Sequence, residues 1–182
     1  MLKLVRGQIL NAAGTVAIRR AARGKYFVVS LPRTGTSSLC EMARRCGLRA
    51  LHDAKAALPA AIDSYDFFAD TPCYLPAVIA GLPPDGKLIY SAKDPAAWYD
   101  SWRRMGLGDG HDAFMAALND RNYAERFADH RRQVFAAAAG RQMLIYEFAQ
   151  GWEHFCRFLD VPIPNCPLPW LNRHSCFDFV SC

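Results

Sequence analysis

Apolar residues follow two rhythms along this chain: short unbroken runs, and longer stretches in which they recur every third or fourth position. The short runs are Tyr26-Phe27-Val28-Val29-Ser30, Leu48 to Leu51, Asp66-Phe67-Phe68-Ala69, Lys87-Leu88-Ile89-Tyr90-Ser91 and Gln142-Met143-Leu144-Ile145-Tyr146. Such runs, rich in aromatic and aliphatic residues and bounded by turn residues, predict buried strands. Pro83-Pro84-Asp85-Gly86 introduces the fourth run and Gly140 the fifth. From about Thr36, Leu39, Met42, Ala43 and Cys46 share one helical face, and Gly47 supplies the stop. Strands alternating with helices define βαβ units. The expected class is therefore α/β, a three-layer sandwich with a mainly parallel sheet of about five strands and helices on both faces. The stretch from Arg103 to Ala139 has no strand pattern and is expected to cap one sheet edge.

Residues 1–24 read differently. Lys3, Arg6, Arg19, Arg20 and Arg23 occur there without an acidic residue. Leu2, Val5, Ile9, Ala13 and Val16 recur at helical spacing, which describes a basic amphipathic helix. One reading is weak contact with a membrane surface or an organelle-targeting role. The favoured one is a helix covering an edge of the domain, since Gly7 and Gly14 weaken an isolated helix. Residues 25–182 form a single domain, with no repeat, low-complexity tract or linker.

Composition narrows the class only a little. The 182 residues are 52% apolar, as in a folded globular protein, and no run is long enough to span a bilayer. Twenty-two basic against 17 acidic residues give +5, an excess that suits an anionic ligand and does not call for nucleic acid. The seven cysteines are scattered, without a Cys-x-x-Cys pair, so packed thiols in a reducing compartment are expected, not a zinc site. The N-terminus lacks the pattern of a secretory signal, and the expected location is cytoplasmic.

The first predicted strand runs into Leu31-Pro32-Arg33-Thr34-Gly35-Thr36-Ser37-Ser38 and then a helix. A strand, a glycine-containing loop and a helix N-terminus make an anion site of P-loop type, because the first turn presents unpaired N–H groups. Against the triphosphate loop G-x-x-x-x-G-K-[ST], Ser30 replaces the first glycine and Thr36 the lysine. The one cation, Arg33, lies inside the loop. Hydroxyls, backbone N–H groups and an internal arginine suit a less charged transferable group and require no metal. The bland alternative is a helix cap, since Ser38 and Glu41 match a capping box.

After the fourth strand comes Lys93-Asp94-Pro95-Ala96-Ala97-Trp98-Tyr99-Asp100-Ser101. Lys93 sits at a strand end, where open α/β sheets bind ligands. Asp94 fits an N-cap and Pro95 a first helical turn, and Ser101 follows two turns on. Lys93 and Ser101 together could clamp a second phosphate.

These segments, with the Tyr146 to Pro164 run, resemble the PAPS-dependent sulfotransferases. The likeness is to compact P-loop sulfotransferase-like proteins with an R-T-G-T loop and a G-W-x-x-x-C-x-F-L-x-V-P-x-P ending, and it extends from about Tyr26 to Asn172. The resemblance implies 3′-phosphoadenosine 5′-phosphosulfate (PAPS) as donor and 3′-phosphoadenosine 5′-phosphate (PAP) as product. By position, Arg33 is the loop cation, Thr34, Gly35, Thr36, Ser37 and Ser38 surround the 5′-phosphosulfate, and Lys93 and Ser101 hold the 3′-phosphate. Two departures stand out. Lys93 takes the place of a common arginine and offers a point charge in place of a fork. Arg33 replaces a common lysine, so it can stabilise developing charge but cannot donate a proton.

Transfer to a hydroxyl or amine needs a base. Asp70, at the end of the third strand, is the candidate, and it resembles the acidic residue after that strand in heparan-type sulfotransferases. Its alternative is an N-cap before Pro72, and His52 is a substitute base. Trp98, Trp102, Trp152 and Phe155 read as core, Arg103, Arg104, Arg131 and Arg132 as a solvated face, and Asn172-Arg173-His174 as a further reach toward the 3′-phosphate. The expected partner is a small-molecule or glycan acceptor; the oligomeric state is left open. Competing readings are a nucleotide-dependent kinase or NTPase, and a non-catalytic nucleotide-binding scaffold of the same fold.

Overall fold

The computed structural model describes residues 24–105 and 117–171, together with the backbone of three short strands nearer the N-terminus. Those strands, β1 (Leu4–Val5), β2 (Gln8–Leu10) and β3 (Val16–Ala17), form an antiparallel sheet in that order. They replace the expected amphipathic helix. Gly7 and Gly14 would each cost about 1 kcal/mol in a helix interior.

The main sheet contains β4 (Tyr26–Val28), β5 (Ala50–His52), β6 (Phe67–Ala69), β7 (Lys87–Ser91) and β8 (Met143–Tyr146). All pairings are parallel, in the order β5-β6-β4-β7-β8. The helices are α1 (Thr36–Arg45), α2 (Leu58–Ala61), α3 (Pro76–Ile79), α4 (Pro95–Arg103), α5 (Tyr123–Ala137) and α6 (Gly151–Leu159). Among the described residues, no helix is long and apolar enough to cross a membrane.

Alternation along β4 builds a core on each face of the sheet, as the strand period requires. Tyr26 and Val28 face Leu39, Met42 and Ala43 of α1 and Phe155 and Leu159 of α6. Phe27 and Val29 face Leu58 of α2, Ile79 of α3 and Val134 of α5. The three-layer α/β sandwich is thus what the sequence predicts. One expectation is corrected: α5 does not cap a sheet edge. It crosses between β7 and β8 on a face, with the Phe135 ring edge-on to Tyr90 at 5.1 Å. Its buried Phe127, His130 and Val134 share one side, which an edge cap would leave half exposed.

Helix α1 stops as expected. Gly47 adopts φ 76°, its N–H donates to the Arg44 carbonyl, and Leu48 N–H donates to Ala43. This is a Schellman closure, which needs a left-handed residue at that point. The cysteines of the cores are packed thiols: burial pushes Cys40 and Cys73 up to about 12.

Phe67 is fully buried, with its ring against Tyr26 and Phe155, and so connects β6 to α6. Phe67→Ala should lower unfolding free energy by about 3–5 kcal/mol, measured by urea denaturation.

Candidate active site

Helix-bearing connections leave β4 toward β5 and β7 toward β8, on opposite sides of the sheet. The crevice at their carboxyl ends is the topological switch point at which such sheets bind ligands. The loop from Ser30 to Gly35 fills that position.

The loop is held by its carbonyl groups. Trp98 Nε1 donates to Pro32 O at 2.8 Å, Lys93 Nζ to Arg33 O at 2.9 Å, and Ser91 Oγ to Thr34 O at 2.6 Å. Inside the loop, Thr34 Oγ1 donates to Leu31 O at 2.7 Å and lies 3.0 Å from Ser30 Oγ. The Thr34 hydroxyl therefore braces the loop from within. Arg33 takes a left-handed φ of 69° and Gly35 one of 101°. A Cβ at Gly35 would lie 2.4 Å from Phe148 Cε2, so backbone angle and space both demand glycine.

Gly35 caps α1 without a side-chain hydrogen bond. The capping box at Ser38 and Glu41 is not formed. Ser38 lies within the helix, its Oγ accepts from Leu171 N at 2.9 Å, and Glu41 pairs with Arg45 at 3.1 Å. A glycine cap leaves the first-turn N–H groups for a ligand, with the helix dipole behind them.

Cations crowd this end of the cavity. Burial lowers the Arg33 pKa; Asp70 opposes the shift and Arg104 adds to it. Burial, then Arg33, then Arg104, lower that of Lys93. Both groups thus carry their charge at a cost that an anion would relieve. Arg33 Nε is also buried and has no hydrogen-bond partner among the described residues. Asp94 caps α4 as expected, accepting from Ala97 N at 2.8 Å, and so sets Ser101 on the cavity wall.

Asp70 and His52 come together. Asp70, also left-handed at φ 68°, directly follows β6, and His52 is the last residue of neighbouring β5. His52 Nε2 lies 3.3 Å from Asp70 Oδ2, which also accepts from Thr36 Oγ1 at 3.1 Å. Asp70 Oδ1 accepts from Thr71 N at 2.9 Å. Asp70 is therefore part of a side-chain cluster and not an N-cap before Pro72.

These groups line one cavity of about 460 Å³, bounded also by Trp102, Met105, Phe148, Trp170 and Leu171. Arg33, Thr34, Gly35, Thr36, Ser37, Ser38, Asp70, His52, Lys93 and Ser101 all border it. Asn172-Arg173-His174 lies outside the described residues. Sequence reading missed the Ser91 and Trp98 braces and the aromatic wall of Phe148 and Trp170, whose rings are 5.8 Å apart. The signal for Phe148 was its place two residues beyond β8, at the carboxyl edge. Arg104, read as solvated, is exposed yet adds its charge to the site.

Fold and cavity define a three-layer α/β protein with a cationic site at the carboxyl edge of its sheet. A family model, "Sulfotransferase domain", matches residues 109–177, downstream of the loop. The chain is also similar to "Ava biosynthesis cluster protein M" of Aspergillus versicolor, at 27% identity across 80% of this chain and 79% of the relative. Together they support the assignment to the sulfotransferase family that the motifs suggested.

Trp98→Phe leaves the buried Pro32 carbonyl unpaired and should cost about 1–3 kcal/mol in urea unfolding, with weaker sulfate binding by calorimetry. Sulfate affinity should also fall at alkaline pH below the ordinary lysine range, as Lys93 loses its proton early. Arg104→Ala removes one repelling charge, favours protonated Lys93 and should move that decline to higher pH.

Proposed function

We propose that this protein transfers a sulfuryl group from PAPS to a hydroxyl or amine of a small molecule or glycan, without a metal. The observation that carries the reading is a single cavity with a cationic, N–H-rich wall on one side and an acid–base pair on the other. The residues present fit the donor. The orphaned Arg33 Nε, the glycine-capped helix and the mutually repelling Arg33 and Lys93 all favour bound anion.

The donor, when bound, supplies a sulfuryl group activated by its link to phosphate. The N–H groups of the first turn of α1, with the Thr36, Ser37 and Ser38 side chains, would hold the 5′ end. Lys93 has two protons left after its bond to Arg33 O, and with Ser101 it would hold the 3′-phosphate. Phe148 and Trp170 offer flat apolar surface for a purine. Arg33 stabilises negative charge that develops at the bridging oxygen. The acceptor's proton goes to the Asp70–His52 pair.

The relative's name refers to a biosynthesis cluster, which is in keeping with a small-molecule acceptor. Buried free thiols are in keeping with a cytoplasmic location. The kinase reading would require an ammonium where Thr36 stands, and the Thr36 hydroxyl already faces Asp70 and His52.

Calorimetry should show PAP binding at low salt, and no binding would defeat the donor assignment. With labelled sulfate on PAPS and a panel of phenols, amines and sugars, Arg33→Ala should lower turnover by about 10²–10³. Asp70→Asn should lower it by about 10²–10⁴. Magnesium-dependent ATP hydrolysis that survives Arg33→Ala would favour the kinase reading instead.

A further inference from the structure

The loop's hydroxyls and the acid–base pair are in direct contact. His52 Nε2 is 3.0 Å from Thr36 Oγ1 and 3.2 Å from Ser37 Oγ, besides its 3.3 Å approach to Asp70 Oδ2. Thr36 and Ser37 are the first two residues of α1, so the hydroxyls nearest its N-terminus are the ones that touch His52.

A threonine hydroxyl has one proton. In this structure Thr36 Oγ1 donates it to Asp70 Oδ2. It cannot at the same time donate to an anion on the helix N-terminus. Thr36 is buried but borders the cavity, so rotation about χ1 to another staggered well exchanges one acceptor for the other. Ser37, half-buried on the same wall, also lies within hydrogen-bond reach of His52 Nε2.

We propose that Thr36 and Ser37 form a hydrogen-bond switch: without an anion they engage His52 and Asp70, and an anion on the loop draws their protons away and releases the pair for the acceptor. The inference rests on the donor reading above and adds an order to it, donor before acceptor. Occupancy of the loop then decides whether the base is available. The charged groups that line the cavity with His52 are Asp70 just after β6, Arg33 from the loop, Lys93 after β7, and Asp53 and Lys55 from the segment after β5. Asp53 and Lys55 pair with each other at 3.3 Å and so change little between the two states. The element that changes is the pair of hydroxyls.

The test observes the imidazole itself by nitrogen NMR of histidine-labelled protein, with the His52 signals assigned by their loss in His52→Asn. Addition of PAP to the intact protein should displace the His52 Nε2 resonance by more than its linewidth. Ser37→Ala and Thr36→Val should each displace it without ligand, and PAP should then move it less. Variant spectra matching the free intact protein would overturn the switch. So would an unmoved His52 resonance at PAP saturation verified by calorimetry. If PAP does not bind, the nucleotide reading fails separately and sulfate becomes the probe: displacement of His52 by sulfate supports the switch, and an unmoved resonance overturns it.

Discussion

Three consecutive carbonyl oxygens, those of Pro32, Arg33 and Thr34, accept hydrogen bonds from side chains outside the loop. A free loop of this length would turn some carbonyls toward any anion that approached it. Here Trp98, Lys93 and Ser91 engage those carbonyls and hold the backbone in the conformation that opens α1 at Gly35. The donors come from β7 and the α4 region, so the loop keeps this conformation because β7 pairs directly with β4. Most of them are expensive to replace, since Trp98 and Ser91 are fully buried.

Electrostatics then divide the cavity. Arg33, Lys93 and Arg104 burden one another on the side of α4, while Asp70 and His52 occupy the ends of β6 and β5. The sheet order makes this separation, because β4 stands between β6 and β7 and its loop touches both groups. The N-terminus of α1 lies beside the hydroxyls that touch His52 and Asp70. Thr36 and Ser37 thus join the helix N-terminus to His52 and Asp70.

Much of the architecture could be read along the chain. Five apolar runs are the five parallel strands, and Gly47, Asp94 and Pro95 mark helix ends by local geometry alone. Where local signals competed, tertiary packing decided. Ser38 and Glu41 match a capping box, but Gly35 at φ 101° starts the helix earlier and Ser38 serves Leu171 instead. The first residues match helical spacing, but Leu4–Val5, Gln8–Leu10 and Val16–Ala17 are short strands. Arg103 to Ala139 shows helix without saying which surface it covers, and the aromatic contact with Tyr90 settles that for α5.

The loop from Leu31 to Ser38 carries its chemistry in its own residues: a missing lysine, an internal arginine, and a glycine where a helix begins. Those are properties of neighbours along the chain, fixed by backbone sterics and side-chain charge. The contacts that make the loop a site are of another kind. His52 meets Thr36 across 16 positions, Asp70 meets it across 34, and Ser91 reaches Thr34 across 57. Pairings over such separations depend on which strands lie side by side. Many sheet orders can bury the same apolar runs, and only the folded order brings Asp70, His52, Lys93 and the loop to one edge.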